Sequence, residues 1–166
     1  MIADPALVTR AGVLIAAYRE RQRRIVTAES CTGGLVAALL TEVAGSSAVV
    51  ERGFVTYSNE AKAEILGVDF CLISTHGAVS EPVARAMAEG ALAQSRADVA
   101  LAVTGIAGPG GATAAKPVGL VHFGLVAAGR ATRHLERRYG DLGRSEVRRR
   151  AVADALGLLE TALEEV

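Results

Sequence analysis

A serine in a glycine-containing turn is the first feature of this sequence that could carry out chemistry. Ser30 lies in the segment AESCTGG (28–34), after the apolar run 25–28 and before a helical pattern over 35–43. A serine at the carboxyl end of a strand lies where α/β sheets bind ligands, and the free N–H groups of a helix start can hold developing negative charge. This pattern indicates a nucleophile beside an oxyanion hole. Position alone leaves open that Ser30 or Thr32 only caps the helix.

Lys62 is the candidate base for this serine. If Ser58 or Asn59 caps the next helix, Lys62 falls in its first turn. A cation there opposes the helix dipole, and partial burial would lower the lysine pKa further, which makes the amine usable as a base. Serine–lysine pairs are a known variant of the catalytic triad. The alternative is an exposed lysine that pairs with a nearby glutamate.

Other residues that could take part in catalysis form no recognisable pattern. His76 is predicted in a loop, His122 and His134 are predicted in strands, and none belongs to a Ser/His/Asp arrangement. The two cysteines, Cys31 and Cys71, are interpreted as reduced thiols. The sequence has no HExxH, no paired CxxC and no Asp-rich loop, so we expect no metal and no cofactor.

A glycine-rich segment after a predicted strand is the third candidate site. The segment TGIAGPGG (104–111) can present backbone N–H groups to a phosphate. It lacks the Lys-Ser/Thr pair of a P-loop and does not match GxGxxG. From this pattern alone, a surface loop is the competing interpretation.

Helical and strand patterns alternate along the chain, and these elements must position the residues named above. The alternation predicts one α/β domain over residues 1–166 with a mixed sheet. The last two strands are predicted to form an antiparallel hairpin, and Gly53 predicts a bulge or a close backbone approach. The predicted helices cover about 5–21, 35–43, 58–66, 80–96 and 144–164. The predicted strands cover about 25–28, 49–57, 98–104, 118–127 and 131–138.

Composition and charge exclude several classes of protein. Apolar residues make up 51% of the 166 residues, and 18 Lys plus Arg balance 18 Asp plus Glu. Nucleic-acid binding usually depends on a basic excess, so direct binding is not expected. Four arginines, at 144, 148, 149 and 150, could form a local basic patch. The alternative is that they lie on a solvated helix face. No apolar run reaches the roughly 18 residues of a membrane span, and no signal pattern is present, so we expect a cytoplasmic protein.

Six segments together resemble the CinA C-terminal family, in the order in which that family has them. They are TAESCTGG (27–34), AGSS (44–47), ERGFVTYSNEAK (51–62), HGAVSEPV (76–83), TGIAGP (104–109) and KPVG (116–119). The family comprises nicotinamide-nucleotide amidases. The resemblance implies a three-layer α/β/α fold, hydrolysis of nicotinamide mononucleotide to nicotinic acid mononucleotide and ammonia, no metal, and a homodimer or higher oligomer.

The same resemblance implies roles for individual residues. Ser30 would be the nucleophile, Lys62 its base, and Tyr57 would lie between them. Backbone N–H groups around Thr32 to Gly34 would hold the oxyanion. The implied substrate-binding residues are Thr32, Gly33, Gly34, Ser47, Asn59, Thr104, Gly105, Ile106, Ala107, Gly108 and Arg144.

The sequence departs from the family pattern in two places. Relatives have an arginine directly after a Gly-Asp pair, whereas here Leu142-Gly143 separates Gly140-Asp141 from Arg144. Arg144 is the implied phosphate ligand, and the sequence leaves open whether it can reach the phosphate. Gly110 stands where many relatives have an acidic residue. Because the sequence begins with the amidase segment, we also expect no activity of the pyrophosphatase-type domain that precedes it in larger CinA proteins.

Two other functions stay open at this stage. The family name records an association with DNA competence, so a regulatory or competence-related binding module without amidase activity is one alternative. The other is a serine amidase or esterase with a different substrate, because substrate choice depends on the shape of the pocket.

Overall fold

Within residues 4–165, five strands form one mixed sheet in the order β2-β1-β3-β4-β5. The computed structural model describes residues 4–165, so residues 1–3 and 166 of the predicted domain lie outside the described residues. The strands are β1 Ile25–Glu29, β2 Val50–Val55, β3 Val99–Gly105, β4 Leu120–Ala127 and β5 Arg133–Arg138. β1 runs parallel to β2 and β3, whereas β3–β4 and β4–β5 are antiparallel. The predicted mixed sheet and final hairpin are therefore confirmed.

In the described part of the chain, six α-helices pack on this sheet. They are α1 Pro5–Glu20, α2 Leu35–Thr41, α3 Asn59–Leu66, α4 Phe70–His76, α5 Glu81–Ala93 and α6 Arg144–Ala162, and a short 3-10 helix covers Ser46–Ala48. Asp4 and Ser58 cap α1 and α3 with their side chains, as side-chain oxygens at a helix start do. Within residues 4–165, no helix has both the length and the apolar character to cross a bilayer.

The two faces of the sheet carry separate cores, which gives three layers. Successive residues of β3 alternate between them: Val99, Leu101 and Val103 pack with α1, α2 and α6. Ala100 and Ala102 face the opposite way and pack with α3, α4 and α5. Side chains alternate across a strand, so a strand buried on both faces reads as a continuous apolar run. The fold class predicted from the sequence is confirmed.

Two glycines permit close packing of helices on the sheet. A Cβ at Gly124 of β4 would collide with the carbonyl of Ala84, so glycine lets α5 approach the strand. A Cβ at Gly53 of β2 would lie 3.0 Å from both the Cβ of Ala37 and the Oγ1 of Thr27. The close approach at Gly53 is therefore made by side chains and not by another backbone, and the register shift in β2 lies before it, between Val50 and Arg52.

Helix α4 and the 3-10 helix were not predicted from the sequence. Helix α4 is only seven residues long, and the carboxylate of Asp69 caps it by accepting the N–H of Cys71 at 2.8 Å. Two turns are too short to show a clear helical period. As a result His76, predicted in a loop, is the last residue of a helix.

The topology decides which loops meet. The parallel strands β1, β2 and β3 end at one edge of the sheet, so Ser30, Thr56 and Gly105 come together there. The antiparallel β5 ends at the same edge, because Arg138 pairs with Leu120 at the start of β4. Helix α6 then begins at this edge. Between β1 and β3 the chain connections leave in opposite directions, which is the position where open α/β sheets bind ligands.

Candidate active site

A cavity of about 250 Å³ opens at the carboxyl edge of β1 and β3. Ten of the residues expected at the site line it: Ser30, Tyr57, Asn59, Lys62, Thr104, Gly105, Ile106, Ala107, Gly108 and Arg144. Cys31, Ala78, Val79, Gly110 and Gly111 complete the lining. Two glycine-bearing loops and the starts of two helices therefore meet around one small space.

Ser30 and Lys62 are in direct contact inside this cavity. The Nζ of Lys62 lies 3.1 Å from the Oγ of Ser30, although 32 residues separate them in the sequence. Ser30 follows β1, and Lys62 lies in the first turn of α3, whose start is fixed by the Ser58 cap. The alternative of an exposed lysine paired with a glutamate is wrong, since Lys62 is only 1% exposed.

Backbone carbonyls surround the rest of the Lys62 amine. Its Nζ lies 2.9 Å from the carbonyl oxygen of Thr56 and 3.4 Å from those of Tyr57 and Ser58. A neutral amine has two N–H donors and one lone pair. The carbonyls can take the two donors, and the lone pair can then accept the O–H of Ser30. The arrangement fits a base that removes the serine proton.

Burial lowers the pKa of Lys62 below its ordinary value, because desolvation disfavours the charged ammonium. Coulombic interactions with Cys31 and Glu60 act in the opposite direction and are smaller. The direction is the one predicted from the position of Lys62 in a helix first turn. A lowered pKa raises the fraction of neutral amine near pH 7.

Glu29 is a buried residue of the site that the sequence analysis did not single out. Its carboxylate accepts three backbone N–H groups from the start of α2: Gly34 at 3.0 Å, Val36 at 3.0 Å and Ala37 at 2.9 Å. Only 1% of Glu29 is exposed. The available signal was an acidic residue at a strand end, one short turn before a helix start, where a carboxylate can bind free helix N–H groups.

This carboxylate changes the expected oxyanion hole. The N–H of Gly34 is taken by Glu29, and the N–H of Gly33 donates to the carbonyl of Ser30 at 3.0 Å. The prediction that these two glycines hold the oxyanion is therefore wrong, because neither donor is free. Within the part of the chain that the structure describes, the N–H groups of Cys31 and Thr32 donate to no protein acceptor.

Tyr57 and Arg144 form a bridge across the cavity mouth. Arg144 donates from Nη2 to the Tyr57 hydroxyl at 2.8 Å and from Nη1 to the Gly108 carbonyl at 3.1 Å. The expectation that Tyr57 lies between Ser30 and Lys62 is wrong for its side chain, since the residue is 59% exposed and its phenol meets Arg144. Only its backbone carbonyl approaches Lys62.

The two-residue insertion does not keep Arg144 away from the cavity. Leu142 is exposed, and Gly143 adopts a positive φ of 81° directly before α6. The extra residues are thus accommodated outside the helix, in a conformation that glycine adopts readily. Arg144 is the first residue of α6 and lines the cavity. The question that the sequence left open, whether Arg144 can reach the site, is thus answered: it does.

The other three arginines of the C-terminal cluster differ in their contacts. Arg148 turns inward and donates from Nη2 to the carbonyl of Thr32 at 2.9 Å. Arg149 and Arg150 both pair with Glu146 on the surface of α6. Arg149 and Arg150 therefore lie on a solvated helix face, whereas the Arg148 side chain contacts the turn that carries Ser30.

The glycine-rich loop is anchored at its base and open at its tip. Ile106 donates its N–H to Leu120 at 2.9 Å and accepts that of Gly119 at 2.8 Å. Within residues 4–165, the N–H groups of Ala107 and Gly108 donate to no protein acceptor. They stay free to bind an anionic group that enters the cavity.

Ser47 is the one predicted substrate-binding side chain at the wrong end of the sheet. It lies in the 3-10 helix that precedes β2. The register pairs Ile25 at the start of β1 with Val50 at the start of β2, so Ser47 lies at the amino edge, opposite Ser30. The physical reason is the parallel pairing of the strands, and within one chain Ser47 does not reach the cavity.

The histidines lie outside the cavity lining. His76 ends α4, where its carbonyl accepts from Lys116. His122 and His134 contact one another across β4 and β5, with the Nδ1 of the first 2.9 Å from the Nε2 of the second. Among residues 4–165, no three His, Cys, Asp or Glu side chains are grouped so as to hold a metal ion.

Comparison with known proteins gives a consistent result. The family model described as the CinA C-terminal domain matches residues 8–163. A CinA-like protein of Mycobacterium marinum is 59% identical over 144 residues, which cover 86% of this chain and 33% of that protein. A CinA-like protein of Anaeromyxobacter dehalogenans is 51% identical over 91% of this chain and 36% of its own length. The chain thus spans about a third of the length of the curated relatives it matches.

Solved structures extend the match to nearly the whole chain. The competence/damage-inducible protein CihA of Agrobacterium tumefaciens superposes with a TM-score of 0.89 at 52% identity, covering 95% of each chain. A CinA superfamily protein of Klebsiella pneumoniae superposes with a TM-score of 0.90 at 34% identity, covering 96% of this chain and 99% of its own.

Proposed function

The chain belongs to the CinA C-terminal domain family, and from this premise we propose that it is a serine amidohydrolase that releases ammonia from nicotinamide mononucleotide. The observation that carries the proposal is the contact of 3.1 Å between the Oγ of Ser30 and the Nζ of a buried Lys62. This is the geometry of a nucleophile and its base within hydrogen-bond reach.

In the first half of the reaction, neutral Lys62 accepts the proton of Ser30 while the serine oxygen attacks the carboxamide carbon of the nicotinamide ring. A tetrahedral intermediate with a negative oxygen forms. Its collapse breaks the C–N bond, and protonated Lys62 returns the proton to the leaving nitrogen, which departs as ammonia. Ser30 is left as an ester of the nicotinic acid group.

In the second half, water replaces ammonia. Lys62 takes a proton from the water, whose oxygen attacks the ester carbon. The C–O bond to Ser30 then breaks, and the proton on Lys62 passes to the serine oxygen. The product is nicotinic acid mononucleotide, and the enzyme returns to its starting protonation state. No redox step and no metal are required by this chemistry.

The phosphoribosyl end of the substrate is assigned to the open side of the cavity. Arg144 can exchange its contacts with Tyr57 and Gly108 for a phosphate, to which a guanidinium can donate two parallel hydrogen bonds. The free N–H groups of Ala107 and Gly108 lie in the adjacent loop. A charged tail held there would leave the ring to enter toward Ser30.

Cys31, the neighbour of Ser30, does not compete as the nucleophile. Burial raises the pKa of its thiol to about 12, so the thiolate is scarce near neutral pH. The thiolate is the reactive form of cysteine, and the hydroxyl of Ser30 has the base beside it.

The decisive experiment measures ammonia release by the purified chain from nicotinamide mononucleotide, nicotinamide and the nicotinamide dinucleotide, with Ser30→Ala as the blank. We expect the mononucleotide to be hydrolysed far faster than the other two, because only it presents a terminal phosphate. Hydrolysis of none would favour the binding module. A serine-dependent reaction with a different amide or ester would favour the hydrolase with another substrate.

The same resemblance supports the proposal that the chain forms a homodimer or a higher oligomer. Light scattering on the purified chain measures its mass in solution. A mass of one 17.1 kDa chain at micromolar concentration would contradict this proposal without affecting the proposed reaction.

A further inference from the structure

The turn that carries Ser30 is fixed from two sides by side chains outside the cavity lining. On one side the Glu29 carboxylate binds the N–H groups of Gly34, Val36 and Ala37. All three of its short contacts are with donors, and Glu29 does not line the cavity. Glu29 therefore fixes the backbone and has no direct part in proton transfer.

On the other side Arg148 holds the carbonyl of Thr32. The Nη2 of Arg148 donates to this oxygen at 2.9 Å from across the gap between α6 and the turn. The guanidinium also packs along the turn, since a Cβ at Gly33 would lie 3.4 Å from the same Nη2. The turn is thus anchored to α2 by Glu29 and to α6 by Arg148.

These contacts determine where the remaining N–H groups point. In a trans peptide the C=O and the N–H lie on opposite sides. The Ser30 carbonyl points into the turn, where it accepts the N–H of Gly33, so the Cys31 N–H of the same peptide points out of it. Cys31 lines the cavity, and its N–H follows the nucleophile directly in the chain.

We propose that the N–H of Cys31 is the principal oxyanion donor, and that Glu29 and Arg148 are positioning residues that hold it in place. The inference rests on the proposed serine hydrolase function. The N–H of the residue after the nucleophile serves the same purpose in other serine hydrolases. Such donors act only when they are fixed at the position that the oxyanion will occupy.

Glu29→Gln tests this role with little change of shape. The wild-type carboxylate accepts two N–H groups at Oε2 and one at Oε1. An amide has one oxygen, so its NH₂ group must face at least one backbone N–H. The turn must then shift, and a misplacement of about 1 Å at a catalytic group can cost roughly 10²-fold in rate.

The probe is an alkyl fluorophosphonate, because its reaction does not depend on the natural substrate. The Ser30 oxygen bonds to phosphorus, the P–F bond breaks, fluoride leaves, and Lys62 takes the serine proton. The phosphonyl oxygen then needs the same donor as the oxyanion. We expect Glu29→Gln to label roughly 10²-fold more slowly than wild type, with the midpoint of the pH–rate curve unchanged.

Matched variants separate positioning from general loss of stability. Asp69→Ala removes a carboxylate helix cap from α4, outside the cavity lining, and should lower the melting temperature without slowing labelling. Arg148→Met should slow labelling about tenfold, and Arg148→Lys should recover part of the rate because it keeps a donor for Thr32. If Glu29→Gln does not fold, the two Arg148 variants decide the proposal.

Two outcomes would overturn the inference. One is labelling of Glu29→Gln or Arg148→Met within about twofold of wild type, which is too small a change for a displaced oxyanion donor. The other is a shifted pH midpoint, which would mean that Glu29 acts through the ionisation of Lys62. Normal labelling by a wild type that does not hydrolyse nicotinamide mononucleotide would refute the proposed substrate and leave this inference standing.

Discussion

Two loops that follow neighbouring parallel strands of the same sheet are built in opposite ways. The turn 30–34 after β1 is mostly buried, and Glu29 and Arg148 fix its backbone. The loop 106–117 after β3 is anchored at Ile106, but residues 109–115 are exposed. Both loops keep N–H groups free, but the turn holds those of Cys31 and Thr32 in a buried backbone, whereas the longer loop is exposed at its tip.

The difference follows from what each loop has to hold. A nucleophile and its oxyanion donor must stay within a fraction of an ångström of the reacting atoms, which requires a fixed backbone. A loop that binds a charged tail can adjust to its ligand. Changes in the turn and the Ser30–Lys62 pair should therefore reduce kcat, and changes on the loop side should raise KM.

The largest effect should come from Ser30→Ala. Removal of a covalent nucleophile costs about 10⁵-fold or more in kcat. Ammonia release from nicotinamide mononucleotide measures the loss, and circular dichroism checks that the fold is kept. Turnover above about a tenth of wild type would show that Ser30 is not the nucleophile.

Lys62→Arg should fail nearly as badly as Lys62→Ala, with a loss of kcat of about 10³-fold. Arginine cannot lose its proton near neutral pH, because its pKa lies above about 12. A lysine that only formed an ion pair would tolerate the exchange. An active Lys62→Arg enzyme would make His76 the next base to test.

Wild-type activity should rise with pH through the lowered pKa of Lys62, since the neutral amine is the active form. The chain has only two lysines, Lys62 and Lys116, so ¹³C-labelled lysine gives two resonances whose titration is directly observable by NMR. Lys116→Arg assigns them. A Lys62 midpoint at the ordinary lysine value of about 10.4 would contradict its role as a base.

Arg144→Met tests the loop side of the comparison. We expect KM for nicotinamide mononucleotide to rise by about 10- to 100-fold with kcat little changed, as for a lost charged hydrogen bond. Arg150→Met is the matched control, because among residues 4–165 the Arg150 side chain pairs only with Glu146, on the surface of α6. A fall in kcat at constant KM would assign Arg144 to the catalytic side.

The pH dependence of the free energy of unfolding should report the burial of Lys62. Folding lowers the pKa of Lys62, so the unfolded chain binds its proton more tightly, and the free energy of unfolding rises as pH increases from the folded pKa toward about 10.4. The gain is about 1.4 kcal/mol for each unit of lowering. Burial raises the pKa of the Cys31 thiol, which acts in the opposite direction at alkaline pH, so the Lys62 contribution is measured as a difference between variants. Urea unfolding at several pH values should show that wild type and Lys116→Met gain more stability toward about pH 10.4 than Lys62→Met does. An identical pH dependence in Lys62→Met would exclude this contribution.

The smallest expected effect is that of chelation. The proposed steps need only Ser30, Lys62 and backbone donors, so ammonia release should be unchanged after incubation with EDTA. Loss of activity that zinc or magnesium restores would replace the serine–lysine mechanism with a metal-dependent one.

The comparison of the two loops also shows how far sequence reasoning could reach. Ser30 and the glycine-rich segment were recognisable because each follows a buried strand and breaks its pattern. Glu29 was not recognised, because its role depends on three N–H groups of α2 folding back over it. Helix α4 was not predicted because two turns are too short to show a helical period of apolar residues.

The sequence by itself determined the α/β class, the mixed sheet, the final hairpin and the placement of Lys62 in a helix first turn, because these depend on periodicity and on local capping. Only the tertiary structure decided which polar groups of distant segments contact one another. Parallel pairing of β1 and β2 places Ser47 at the opposite edge of the sheet from Ser30. The Tyr57 phenol accepts a hydrogen bond from Arg144 and does not lie beside Ser30, and the Glu29 carboxylate accepts the N–H of Gly34. A hydrogen bond between distant segments depends on distances that no local pattern encodes.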